Sequence, residues 1–298
     1  MGDITAGHEI LVPGSISNLG PALDTLAVAV QLYLTLRIVE VLPGAPDTIA
    51  FEFVGASPPG ENRIDTAFRH ARARIGTPSP GLRVQVQSDI PMRAGIGSSG
   101  AASVAGLRLY EAVTAPRPVS DWLSLATDLE GHPDNAAAAL LGGLAASCQR
   151  ENGTITACSW RWPASIALVV GTPGVELETS RARRALPQTL SLSDAIFNMQ
   201  RTVLLLRALD TGDRDDLRES MRDRWHQPAR TPLVPGLAEA LELDHPSILS
   251  VCLSGSGPSV LALARTADAP AAADVLADVY AQLGLPYTVR TLLAHHES

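Results

Sequence analysis

Apolar and β-branched residues crowd together from Leu32 to Val41, ahead of Pro43-Gly44, and Thr48 to Val54 alternates apolar with polar side chains. Both patterns predict strands, as does Glu9 to Val12. The period then changes. Ile64, Ala67, Phe68 and Ala71 fall on one side of a helix expected over Asn62 to Ile75, and alternation returns in a strand over Leu82 to Ser88. A Gly-Ser loop follows, then an alanine-rich helix over Gly100 to Val113. Two more helices are expected, one from an N-cap at Ser120 to Leu129, the other from Pro133 to the Gly142-Gly143 pair. Ser165 to Gly171 reads as a strand, Asp194 to Leu209 as a helix, and Ser247 to Ser254 as a strand before a second Gly-Ser loop. A helix over Ala269 to Leu283 and a strand over Tyr287 to Leu293 close the chain. Strands and helices alternate throughout, which favours α+β or α/β. The polar stretch Gln149 to Ala157 is the best candidate boundary, so the expected units are 1–155 and 156–298.

Composition sharpens this picture. Hydrophobic residues make up 46% of the 298 and aromatics only 4%, so the core must be built from Ala, Leu, Val and Ile. A net charge of -8, with no basic block, opposes a nucleic-acid partner. Arg181, Arg183 and Arg184 form the nearest thing to one and read first as a solvated face. Cys148, Cys158 and Cys252 are too scattered for a disulfide framework or a zinc site. Met1 to Glu9 carries Asp3 and Glu9 and lacks the basic-then-apolar order of a signal peptide. No uncharged apolar run reaches the ~20 residues of a membrane span. A cytoplasmic enzyme without membrane or nucleic-acid partners is expected.

All 23 Lys+Arg residues are arginine. That excludes a Walker A lysine, a protein-kinase strand lysine and Schiff-base chemistry. Any phosphate bound here is held by backbone N–H groups, a helix N-terminus, arginine or a metal ion.

Pro91-Met-Arg-Ala-Gly-Ile-Gly-Ser-Ser-Gly-Ala-Ala-Ser103 is the sharpest local feature. Gly95 and Gly97 let backbone N–H groups approach a ligand, and the helix that follows offers free donors and partial positive charge, suited to a triphosphate. Ser98 and Ser99 add hydroxyls for phosphate or Mg²⁺. Gly95, Gly97 and Gly100 also satisfy a dinucleotide fingerprint. That reading fails on context, because the helix leads past Pro116 and Pro118 into another helix and not into a strand ending in an acid.

Three further segments carry polar side chains. Pro13 to Thr25 holds Asn18, whose amide can orient a hydroxyl, and Asp24, whose carboxylate can pair with an ammonium. Each also suits a turn. Glu130-Gly-His-Pro-Asp-Asn135 places Glu130 as a candidate Mg²⁺ ligand, while Asp134 and Asn135 equally suit a first helical turn. His132 lacks a second histidine at metal spacing. Ser254-Gly-Ser-Gly-Pro-Ser259, taken alone, reads as a strand-to-turn connection.

Together these segments resemble the signature motifs of the GHMP small-molecule kinases, in order along essentially the whole chain. Glu130 to Asn135, Leu141 to Gly143, Ser193 to Arg201 and Asp223 to Gly236 resemble the homoserine kinase group in particular. The resemblance implies an α+β GHMP fold, with an N-terminal ribosomal-S5-like domain and a C-terminal ferredoxin-like domain, and a homodimer is common among such kinases. It implies ATP and Mg²⁺ as cofactors. Nucleotide contacts would come from Asn62 and from Arg93, Ala94, Gly95, Ile96, Gly97, Ser98, Ser99, Gly100 and Ala101; Ser98 and Glu130 would ligate the metal. The substrate homoserine would be bound by Asp24 at its ammonium and by Arg183 and Arg230 at its carboxylate, aided by His132.

Asn18 would orient the hydroxyl, and Asn18, Asn135 and Arg230 form the expected catalytic set. Relatives elsewhere in the superfamily carry an aspartate base where this chain has Asn135. An amide takes no proton at neutral pH, so the resemblance implies catalysis without a protein base; Asp134 is the alternative. Ile16, Ala22, Ala27 and Gly100, the last standing where the family pattern usually has an alanine, depart from the usual pattern, which keeps another small hydroxy compound open as substrate. A catalytically silent ligand-binding relative is the reading of a different class, and the retained Ser98 and Glu130 stand against it.

Overall fold

A computed structural model describes residues 6–296 except 56 and 59. The signal-peptide reading falls largely on residues 1–5, outside the described residues. The first half builds on β1 (Glu9–Ser17), which pairs antiparallel with the long β2 (Leu26–Leu42). β3 (Ile49–Phe53) crosses through α1 (Arg63–Ile75) to pair in parallel with β4 (Gly81–Ser88). Then come α2 (Ser98–Val113), α3 (Val119–Glu130), α4 (Asp134–Leu141), β5 (Leu144–Gln149) and β6 (Ile155–Trp160). The sheet order is β3-β4-β2-β5-β6, with β1 on β2. β2 begins earlier than expected; its first five residues are buried, which hides the alternation that marks its second half.

Local chemistry sets the helices. Asn62 caps α1 by accepting from Ile64 N, and Gly76 ends the helix in the left-handed region. Ile64, Ala67, Phe68 and Ala71 are buried as the periodicity predicts. α2 lies against α1 so closely that a Cβ on Gly106 would sit 2.2 Å from the Ile64 carbonyl oxygen. The alanines of α2 and α4 allow such close layers, and they supply the core that scarce aromatics cannot.

The second half contains β7 (Ile166–Pro173), α5 (Thr179–Arg184), α6 (Leu192–Thr211), α7 (Arg214–Ser220), α8 (His226–Arg230), α9 (Leu237–Leu241), β8 (Ser250–Leu253), β9 (Val260–Arg265), α10 (Ala269–Gln282) and β10 (Tyr287–Leu292). Its antiparallel sheet runs β10-β7-β9-β8. Alternate residues serve two cores. Leu168, Val170, Leu261 and Leu263 join the cluster of the first half, while Val169, Val260 and Ala262 pack with Leu276 and Tyr280 of α10. Burial on both faces explains why β9 carries no period-two signal.

Gln149 to Ala157 is not a linker. It contains the turn of a hairpin in which β6 pairs with β5 over Gln149↔Ile155 to Leu144↔Trp160. The stretch is polar because that hairpin is largely exposed. Since β6 stays with the first sheet, we propose that the boundary lies in 161–165 instead of at 155. The short helices α5, α7, α8 and α9 were beyond the reach of periodicity, being five to seven residues long.

Candidate active site

A cleft of about 610 Å³, counting its open mouth, lies where the β1–β2 loop, the loop before α2, the start of α4, α5, α8 and the Gly255-Ser256 loop converge. Its convergent polar and charged lining suits a small-molecule site.

One end is the start of α2. Gly97 sits in the left-handed region, no side chain caps the helix, and the first backbone acceptor bond is Ala101 N to Gly97 O. The N–H groups of Ser98, Ser99 and Gly100 therefore have no acceptor among the described residues, and their residues line the cleft. The glycines also serve a purpose beyond the one expected. A Cβ on Gly95 would sit 2.5 Å from Ser254 O, and one on Gly97 2.2 Å from Ser15 Oγ. They are small so that protein backbone can pass, bringing β1 and the 254–257 loop up to the helix start. Gly100 likewise faces Asn135, whose Cβ would lie 2.8 Å from an added one. That accounts for its departure from the usual alanine.

Glu130, the last residue of α3, turns into this end. Its carboxylate accepts from Ser99 Oγ at 2.9 Å and Ser103 Oγ at 2.6 Å, and Arg63 Nε lies 3.2 Å away. The expected partner Ser98 lines the cleft without bonding Glu130; Ser99 takes that place. These are hard oxygen donors around a carboxylate, as a magnesium ion requires.

The other end is built from side-chain charge. Arg183 holds both Asp24 oxygens at 2.8 and 2.9 Å. Burial works to raise the Asp24 carboxyl, but the Arg183 hydrogen bond and the charges of Arg183, His132 and Arg230 hold it below its ordinary value. Arg230 is 2% exposed and pairs with no carboxylate among the described residues. It donates to Ala182 O and Gly255 O and faces His226 Nδ1 at 3.2 Å. Burial, with repulsion from Arg183, pulls its pKa down to about 10. His226 donates through Nε2 to Gly20 O at 2.6 Å, which leaves Nδ1 as an acceptor for the guanidinium. Burial keeps that imidazole neutral, aided by Arg230. His132 meets Asp134 at 2.6 Å. Burial opposes its charge, yet Asp134 and Asp24 raise its pKa above the ordinary value. Asp24, His132 and Asp134 converge closely enough to share a cation, but Arg183 already occupies both Asp24 oxygens.

The cleft brings together Asn18, Asp24, Arg93, Gly95, Gly97, Ser98, Ser99, Gly100, Glu130, His132, Asn135, Arg183 and Arg230. Asn62, Ala94, Ile96 and Ala101 do not line it: Asn62 caps α1 and the other three are core. Asn18, at φ 74, staples two loops, donating to Gly255 O and accepting from Asp24 N. That leaves one amide hydrogen for a ligand. Asn135 accepts from Ser15 Oγ and donates to Ser17 Oγ and Asp134. Sequence reasoning missed Ser17, Leu177, Thr179, Ser103 and Arg63. Ser103 follows Ser99 by one helical turn, a spacing that does point to a shared face.

Residues 62–143 match the family description "GHMP kinases N terminal domain", and residues 205–282 match "GHMP kinases C terminal". The homoserine kinase of Moorella thermoacetica is 38% identical over 95% of this chain and 96% of its own. A homoserine kinase of Thermus thermophilus is 37% identical over 87% of this chain and 88% of its own. The crystal structure of homoserine kinase from Cytophaga hutchinsonii superposes with a TM-score of 0.83 over 100% of this chain and 98% of that one, at 23% identity, and so attests the fold alone. A putative homoserine kinase from Listeria monocytogenes gives 0.74 at 26% identity, covering 96% of both chains. This protein belongs to the GHMP kinase family, with the homoserine kinases.

Proposed function

We propose that the chain transfers the γ-phosphoryl group of ATP to the side-chain hydroxyl of homoserine, giving O-phosphohomoserine for threonine synthesis. The observation that carries this is Arg230: a buried guanidinium without an anion, beside an Asp24–Arg183 pair, at the far end of a cleft that starts on an open helix N-terminus. An amino-acid zwitterion exchanges that internal ion pair for two external ones, its ammonium to Asp24 and its carboxylate to Arg183 and Arg230. His132, whose pKa is raised by Asp134 and Asp24 against the effect of burial, adds to the carboxylate side when protonated.

Glu130 with Ser98 and Ser99 would hold the magnesium ion, which when bound neutralises phosphate charge. The N–H groups of Ser98, Ser99 and Gly100 would face phosphate oxygens. The free amide hydrogen of Asn18 would orient the acceptor hydroxyl. No side chain acts as base: Asn135 is an amide whose two N–H hydrogens are already donated, and the proton leaves to phosphate or water. If Asp134 were the base, Asp134→Asn would cost about 10²–10⁴ in kcat; we expect less than about tenfold, with the loss in KM through His132.

A coupled ADP-release assay over homoserine, serine, threonine, shikimate and mevalonate tests the reading. Homoserine should dominate. Turnover dominated by another alcohol moves the substrate, and no turnover with any leaves a silent relative. Exposed free thiols at Cys148 and Cys158 suit the reducing cytoplasm, and no helix among the described residues is long and apolar enough to cross a membrane.

A second copy of the chain is the partner that fits α6. Leu192, Ile196, Met199, Val203 and Leu206 recur in alternating steps of four and three and are 36% to 77% exposed, the spacing of a helix-pairing seam. The five positions carry no charge, so the stripe complements itself across a twofold axis. Val203→Glu should convert a dimer to a monomer in sedimentation, with folding unchanged by circular dichroism; a monomeric parent at micromolar concentration defeats the homodimer.

A further inference from the structure

Glu130, which lines the cleft, and Arg63, which contacts it from the side, stand at the wrong ends of their helices. Arg63 is the first residue of α1, where the helix dipole favours an anion. Glu130 is the last residue of α3, where it favours a cation. Each is unfavourable locally, and the fold brings them within 3.2 Å. Local rules broken without local compensation mark sites with another purpose.

The two partners are unequal. Glu130 is 7% exposed at its side chain and fixed by Ser99 and Ser103, while the Arg63 side chain is 37% exposed. Arg63 reaches Ser99 Oγ only at 3.4 Å. Glu130 is thus a fixed, buried demand for positive charge, and Arg63 a guanidinium at the rim able to leave it. Of the other arginines near the cleft, Arg183 is spent on Asp24, Arg230 is buried at the far end, and Arg93 pairs with Glu176 at 3.0 Å. In a chain without lysine, Arg63 is the rim cation that contacts Glu130 beside the uncapped start of α2, whereas the exposed Arg93–Glu176 pair stands away from that carboxylate.

We propose that Arg63 is a nucleotide-binding residue that occupies Glu130 in the empty enzyme and, displaced by the divalent cation, turns its guanidinium onto the nucleotide's phosphates. The inference rests on the proposed metal role of Glu130. It makes the ion and the nucleotide mutually supportive: the ion frees Arg63 from the carboxylate, and the phosphates give it a new partner. The protein contributes the same pair of charges in both states, so neither is left unpaired when the cleft empties.

The test is a pair of binding measurements whose expected signs are opposite. Manganese binding without nucleotide is followed by its paramagnetic resonance signal, and ADP binding at saturating magnesium by calorimetry, on the parent chain and on Arg63→Ala, Arg63→Lys and Glu130→Gln. Arg63→Ala removes the competitor for Glu130, so manganese should bind about threefold to tenfold tighter, while ADP should bind about fivefold to tenfold weaker. Arg63→Lys should recover most of both parent values. A purely structural role for Arg63 weakens both ligands together, and a solvated surface charge moves neither; either result overturns the proposal. Glu130→Gln separates the two levels: if it leaves manganese binding unchanged, the metal role of Glu130 has failed, and the Arg63 exchange falls with it.

Discussion

At the end of the cleft proposed to take the nucleotide, the fixed polar groups are mostly backbone: three N–H groups on an uncapped helix, positioned by glycines packed against β1 and the 254–257 loop. Its ionisable side chains are few, and Arg63 is partly exposed. At the amino-acid end the reverse holds. Asp24, Arg183, His132, Asp134 and Arg230 face one another in a network whose His132, Asp134 and Arg230 are buried and whose Asp24–Arg183 pair is partly open to the cleft, and the backbone mainly braces them. The first arrangement suits a ligand that every kinase of this family shares, because any phosphate accepts from N–H groups. The second suits discrimination, because a buried charge network rejects ligands that leave one of its members unpaired. Universal binding is written in backbone and specific binding in desolvated charge.

Removing Arg230 should break this contrast most severely. Arg230→Met deletes the carboxylate anchor, and truncating one partner of a buried charge contact costs about 3–5 kcal/mol, on the order of a thousandfold in kcat/KM for homoserine. The KM for ATP should move less than about twofold. The empty protein should not lose stability and should melt at the same temperature or higher, since a buried guanidinium without a carboxylate is a desolvation burden. A large fall in melting temperature would show that Arg230 is structural.

Asp24→Asn comes next. It leaves Arg183 without its carboxylate and the substrate ammonium without a counter-charge, for a loss of about a hundredfold in kcat/KM. It has a signature in acid as well. The Asp24 carboxyl is held below its ordinary 3.8, so its pairing adds stability above that value and loses it as pH falls through the depressed pKa. The variant should lack that part of the acid-side decline, measured by urea unfolding between pH 5 and 3.

How legible these two ends were in the sequence follows from their construction. The backbone end is continuous in the chain. Gly95, Gly97, Ser98 and Ser99 announce an anion site from the chain alone, although the packing role of the glycines is not legible there, since the groups that forbid their Cβ atoms lie on β1 and beyond β8. The charge end is assembled across the chain: Asp24 and Arg183 are 159 residues apart. No periodicity links them, and only the family resemblance brought them together. The hairpin of β5 and β6 escaped for a different reason. Its exposure gives it the composition of a linker, and pairing partners cannot be read from composition. Arg63 left one local trace, its sign against the α1 dipole, which a propensity reading treats as noise.

His132 should sharpen the comparison with a smaller effect. Its pKa is raised above the ordinary 6.5, so its charged contact with Asp134 contributes stability fully below 6.5 and loses it as pH climbs through the raised value. The cationic form also serves the substrate carboxylate. The KM for homoserine should therefore rise about threefold to tenfold across that alkaline limb while the KM for ATP stays level, an ordinary range for one partly screened charge. His132→Gln should show the high KM at every pH. Parallel movement of both KM values would mean that the histidine acts on the whole cleft and not on its amino-acid end.

The smallest effect tests the backbone end by restoring the residue that relatives usually carry. Gly100→Ala adds a good helix former to the first turn of α2, and by propensity alone it should stabilise by about 1 kcal/mol. Packing opposes this: the new Cβ would lie 2.8 Å from the Cβ of Asn135, and that atom is not the far end of a flexible chain. Asn135 is tied to Ser15, Ser17 and Asp134, so it cannot retreat without breaking hydrogen bonds on β1. A clash of this kind costs about 1–3 kcal/mol, so the two effects should leave a net loss of up to about 2 kcal/mol, or a few degrees in melting temperature for a chain of this size. The KM for ATP should rise with it and the KM for homoserine should not, because the strain falls on the helix start and leaves the Asp24–Arg183–Arg230 network untouched. If melting temperature rises instead, propensity has outweighed contact, and the Asn135 brace is looser than its three hydrogen bonds imply.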